Sequence, residues 1–111
     1  MTLIITRQRA DILDYLKGCP GTVREVMAAM GWTNAQTVSN RVNWLHSAGL
    51  LRYMGEGQRR PGSGRRPRTY QTTDAGAAVM NMVYGLKPNW QSFTVTQRDI
   101  EREMAKVRRA A

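Results

Sequence analysis

The chain holds one cysteine, Cys19, one histidine, His46, one phenylalanine and only eight acids among its 111 residues. One cysteine excludes a disulfide within the chain, and with one histidine it leaves a single chain short of the ligands a structural zinc needs. Both residues read as loop or surface positions, and neither a metal nor a cofactor is expected. The longest apolar runs, such as Leu3-Ile4-Ile5, are too short to cross a bilayer, and no secretory apolar region follows the first methionine. A cytoplasmic protein is the expectation. Catalytic patterns are scarce as well. No Gly-Lys phosphate-binding motif occurs, His46 has no Ser or Cys partner implied by spacing, and Asp11 with Asp14 reads as a solvated pair on one helical turn. An enzyme is not expected.

Positive charge is abundant. Lys and Arg total 17, giving a net charge of +9 and a pI near 10.8. Such a balance favours a polyanionic partner, which at this level is either nucleic acid or an acidic membrane surface. The charge is also concentrated. Arg52, Arg59, Arg60, Arg65, Arg66 and Arg68 face one acid, Glu56, so a 17-residue window holds more than half of the net charge.

Hydrophobic content of 41% in 111 residues suits one globular unit with a modest core. Thr6 can cap a first helix whose Ile12, Leu13 and Leu16 form one buried stripe, joined by Ile5, before Gly18 and Pro20 end it. Thr22-Val-Arg-Glu25 has the form of a capping box, in which Thr and Glu side chains each satisfy an orphan backbone N–H. The second helix runs to about Met30 and buries Val23, Val26, Met27 and Met30. Gly31-Trp32 breaks it. Thr33-Asn-Ala-Gln36 reads as another capping box, so that a third helix follows closely and the pair describes a helix-turn-helix.

At 100° per residue, Val38, Val42 and Leu45 of the third helix share one side; Gln36, Asn40, Asn43 and Ser47 share the other, flanked by Thr37, Ser39 and Trp44. A solvated face normally favours Lys and Glu, because Asn, Ser and Thr have poorer helix propensity. Short amides and hydroxyls have a use there: Asn and Gln bond adenine N6 and N7 bidentately, and Ser or Thr reach base edges or phosphates. The alternative is a neutral surface helix that packs on a neighbour. Beyond Ala48-Gly49, Leu50 to Met54 and Arg68 to Thr72 read as strands. Between them, GEGQRRPGSGRRPR breaks any helix and suits the tip of a hairpin.

The order helix, helix-turn-helix, strand, basic loop, strand resembles the winged helix-turn-helix fold of bacterial and phage DNA-binding regulators over about Thr6 to Gly76. RRPRTYQTTDAG, Arg65 to Gly76, is similar to the R-x-Y-x-L-T-x-x-G wing ending of PadR-like and MarR-like repressors: Tyr70, Thr73 and Gly76 match, while Thr72 stands where Leu is usual. The aspartate usual at a MarR-type wing tip is absent, as is the characteristic PadR start, and no small-molecule effector is evident. The resemblance implies a mainly α fold with a small β-hairpin. It also places Gln36, Thr37, Asn40 and Arg41 toward a DNA groove and Arg59, Arg60, Arg65, Arg66 and Arg68 on the wing. With Thr33 and Trp44, these form the candidate DNA-binding set. Asn40 is the leading base-contact candidate.

The expected organisation is a DNA-binding unit over residues 1–76 and a helical extension over 77–111. Thr73 or Asp74 can cap a fourth helix with Ala75, Ala78, Val79, Met82, Val83 and Leu86 on its apolar side, interrupted at Lys87-Pro88-Asn89. Thr96-Gln-Arg-Asp99 opens a last helix with Ile100, Met104 and Val107 in line, acids early and bases late, as the helix dipole favours. These apolar residues either fold back onto the first helix or pair with a second subunit. Trp90, Phe93, Ile100, Met104 and Val107 are the candidate anchors of a homodimer.

Together these features describe a sequence-specific double-stranded DNA-binding protein, a small transcriptional regulator such as a repressor. Alternatives are a phage or plasmid replication or packaging protein, or a winged-helix adaptor for protein or RNA. An RNA binder more often carries stacking aromatics along its basic surface, and the basic loop has none before Tyr70.

Overall fold

The computed structural model describes residues 2–56 and 68–110, and each of the five helices among them starts at a side-chain cap. In chain order the elements are β1 (Thr2–Thr6), α1 (Arg7–Gly18), β2 (Gly21–Thr22), α2 (Val23–Met30), α3 (Ala35–Ser47), β3 (Leu51–Glu56), β4 (Arg68–Thr72), α4 (Asp74–Tyr84), β5 (Ser92–Thr96) and α5 (Gln97–Ala110). The Thr6 hydroxyl accepts from Arg9 N, Thr22 and Glu25 bond reciprocally at 3.1 Å, and Thr73 accepts from Gly76 N. Thr96 and Asp99 close a similar reciprocal pair at 3.0 and 3.2 Å. Each pair satisfies backbone donors that the first helical turn leaves unbonded.

The cap of α3 differs from the sequence expectation by one residue. Asn34, not Thr33, accepts from Thr37 N at 3.1 Å, and α3 starts at Ala35. Asn fills a cap at least as well as Thr. The shift moves Gln36 to the second helical position, too early for it to reach back as a capping box requires. The left-handed Gly31, at φ +71°, closes α2 before this turn.

Strands β2, β4 and β3 form an antiparallel sheet in that order, with β4 central. A bulge at Met54 lets Tyr53 face Tyr70 while Gly55 faces Thr69. A separate ribbon pairs β1 with β5, Leu3 opposite Val95 and Ile5 opposite Phe93. This ribbon joins the strand before α1 to the strand before α5. The sequence pattern places Ile5 in the core but signals neither of these two strands.

One buried cluster runs through every helix and both sheets. Ile5, Ile12, Leu13, Leu16, Val26, Val38, Val42, Leu45, Leu50, Leu51, Val79 and Ile100 are its largest enclosed side chains. The division drawn at residues 76 and 77 falls in the first turn of α4, and both sides of it share this core. Met80, omitted from the expected apolar side of α4, is also buried. Ile100 corrects a further expectation: only 1% of it is exposed, so it takes the fold-back route and is closed to a second subunit. Trp90 and Phe93 are half-buried against each other, ring centroids 5.7 Å apart, with Arg7 over Trp90.

The wing ending has a physical explanation at this junction. Thr73 N donates to Leu50 O at 3.0 Å, and a Cβ on Gly76 would overlap that same carbonyl oxygen. Glycine is therefore required for the first turn of α4 to sit against the Leu50 backbone that leads into β3. Thr72, in place of the usual Leu, turns its hydroxyl to Leu13 O at 2.7 Å and ties β4 to α1.

Candidate nucleic-acid interface

Helix α3 holds its candidate face outward because its opposite side is anchored. Val38, Val42 and Leu45 are each at most 1% exposed, whereas Gln36, Asn40, Asn43 and Ser47 are all exposed. On the outer face Gln36 Nε2 donates to Asn40 Oδ1 at 3.0 Å, one turn apart. That bond orients both amides and leaves the Asn40 amide N–H groups directed away from Gln36. No acidic residue interrupts α3.

One edge of this face carries Thr37, Arg41 and Trp44, all half-buried. Arg41 lies over the Trp32 ring at 5.5 Å, and Arg9 of α1 lies 3.6 Å over Trp44. Trp44 is therefore a shelf for a cation and packs against the core. Thr33 is exposed in the turn before Asn34, away from any helical register.

The other edge opens on a groove of about 380 Å³ between α2, α3 and β4. Ser39 and Asn43 line it from α3, Arg24 from α2, and Arg68 with Tyr70 from β4. Tyr70 is held edge-on by His46 and Tyr53, at 5.8 and 6.1 Å, so the lone histidine buttresses the sheet. Arg52 is exposed on the neighbouring strand and bonds Gln71 at 3.4 Å. Ser39 and Asn43 of α3 and Arg68 at the start of β4 thus open on a common cleft. Arg59, Arg60, Arg65 and Arg66 lie outside the described residues.

Arg9 and Arg24 were absent from the sequence-derived set. Arg24 sits in the first turn of a capped helix, where its charge could have been noticed. The place of Arg9 beside α3 is set by the packing of α1, and no local signal carries it. Among the described residues no group of three or more His, Cys, Asp or Glu is gathered as for a metal, and no helix is long and apolar enough to cross a membrane.

Solved structures share this architecture. A homodimeric winged helix-turn-helix DNA-binding domain from Mycobacterium bovis is 25% identical, at a TM-score of 0.56 over 71% of this chain and 66% of that one. A PadR family transcriptional regulator from Eggerthella lenta is 25% identical, at 0.55 over 69% and 68%. Bacillus subtilis PadR, solved in complex with operator DNA, superposes at 0.63 over 88% of this chain and 58% of that one, with 10% identity. The chain has the winged helix-turn-helix fold. It spans 66% of the length of the M. bovis domain and less of PadR. No protein-family model and no curated protein matches the sequence.

In the vocabulary of that fold, α2 and α3 are the helix-turn-helix pair and β3–β4 is the stem of the wing.

Proposed function

We propose that this protein binds double-stranded DNA in a sequence-dependent way as a small transcriptional regulator, and that it does so as a homodimer. Helix α3 enters the major groove, with Gln36, Asn40 and Asn43 toward base edges and Thr37 toward the backbone. A helix fits that groove, and amides match the adenine edge. The wing follows the adjoining phosphates or minor groove, with Arg68 and Arg52 at its stem and the arginines of the intervening segment beyond them.

The observation that carries this reading is the common cleft: Asn43 and Ser39 of α3 line the same groove as Arg68 of β4. A polar, acid-free helix face and a basic strand opening on one groove can hold a duplex from two sides. A helix that merely packed on a neighbour would not need its outer face free. The solved structures with this fold, among them a PadR family transcriptional regulator and PadR bound to operator DNA, support the same assignment, as does the net charge of +9. If about four to six basic side chains each neutralise a phosphate, log K falls with log salt at a slope of about −4 to −5.

Selection of bound duplexes from a random pool at physiological salt tests the proposal. Recovery of a palindromic motif supports sequence reading by a dimer, since a two-fold protein reads two half-sites. Recovery of no motif at all contradicts sequence-dependent binding.

A further inference from the structure

We propose that Arg9 and Arg41 form a clamp for one phosphate of the DNA backbone, at the edge of the α3 outer face. This inference rests on the duplex-binding reading above.

Each guanidinium is held in place by an aromatic ring. Arg9 reaches from the first turn of α1 to lie 3.6 Å over Trp44, and its Nη1 donates to Ile4 O at 2.6 Å. Those two contacts fix both the plane and the rotation of the fork. Arg41 lies over Trp32, the residue that follows the α2 cap, at 5.5 Å. Stacking restrains the planar cation in advance, so little further freedom is lost when an anion arrives.

The two cations also repel. Burial, and then the charge of Arg41, pull the Arg9 pKa below its ordinary value. Both side chains are half-buried, and among the described residues neither forms an ion pair with an acid. Holding two like charges together without a counter-charge costs stability, and an anion bound between them offsets that cost.

The location selects the anion. Arg41 shares an edge of α3 with Thr37 and Trp44, next to Gln36 and Asn40. When a recognition helix lies in the major groove, the backbone bordering that groove runs along such an edge. Guanidinium forks match phosphate oxygens, and Arg9 keeps Nη2 and Nε for that purpose after Nη1 is committed to Ile4.

The test measures binding of a labelled mixed-sequence duplex across a salt series by the full chain and by Arg9→Gln, Arg41→Gln and Arg9→Lys. Loss of the shared phosphate should flatten the log–log slope by about 0.9 when Arg9→Gln and Arg41→Gln are combined in one chain, with affinity falling about three- to tenfold at low salt and the gap closing at high salt, and each single Gln variant should fall between that chain and the wild type. Arg9→Lys should retain the slope. A loss of the same factor at every salt concentration would mean that Arg9 only positions α3 and would overturn the clamp, as would no change. Absence of duplex binding by the wild type would instead overturn the function itself. The indole N–H resonance of Trp44, followed while inorganic phosphate is added, separates a duplex site from a small-anion site. A shift that saturates without displacing duplex would assign the pair to free phosphate and contradict the proposal.

Discussion

Gln36 donates from its side-chain amide to the Asn40 Oδ1 at 3.0 Å, so two exposed residues of α3 present their amides as a bonded pair. Preorganised in this way, Asn40 needs little reordering to meet a base edge. Asn40→Ala should narrow the affinity gap between a selected and a random duplex by ~1 to 3 kcal/mol, while leaving non-specific binding nearly unchanged. Competition binding with the two duplexes reads this difference directly.

Gly76 is fixed by space, since a Cβ there would meet the Leu50 carbonyl oxygen and come 2.6 Å from Thr72 Cγ2. The carbonyl belongs to backbone already bonded by Thr73 N and cannot easily yield. Gly76→Ala should lower unfolding stability by ~1 to 3 kcal/mol, the usual cost of overpacking, as measured by denaturant melts.

Ile100 and Val107 lie on the same stripe of α5 yet should respond in opposite ways. Ile100 is enclosed, so Ile100→Ala should cost ~2 to 5 kcal/mol of stability. Val107 is 49% exposed and borders a groove with Met104, Ala77 and Asn81. Val107→Glu should leave the melting temperature nearly unchanged and shift any dimer toward monomer in sedimentation. A loss of stability without a change in association would remove Val107 from the candidate interface.

The Asp99 carboxylate accepts from Thr96 N at 3.0 Å, and its hydrogen bonding with Thr96, the backbone first and then the side chain, holds its carboxyl below the usual range. A depressed folded pKa contributes stability that is complete above the ordinary aspartate range and is lost as pH falls through the lower folded value. Asp11 runs the other way, because partial burial raises its pKa and favours the protonated form. Melting temperature followed from neutral to strongly acidic pH should therefore fall less steeply in Asp99→Asn than in the wild type.

Much of the fold was legible because its signals are local. Thr6, Thr22, Thr73 and Thr96 announce four helices through side chains that act within one turn. Val38, Val42 and Leu45 mark the inner side of α3 by period alone. Two features were not legible. The β1–β5 ribbon pairs residues some 90 positions apart, and neither TLIIT nor SFTVT carries a turn that would link them. Arg9 stands beside Trp44 only because α1 crosses α3. The misplaced α3 cap has a smaller cause: Thr33 and Asn34 are both good caps, and sequence pattern alone does not rank neighbours.

If α3 and the wing stem grip one duplex together, adding that duplex to the labelled full chain shifts backbone amides of both elements at once. Perturbations gathered on Gln36, Thr37, Asn40 and Asn43 together with Arg52 and Arg68 are the expected result. Shifts confined to α4 and α5, with α3 unmoved, would contradict it.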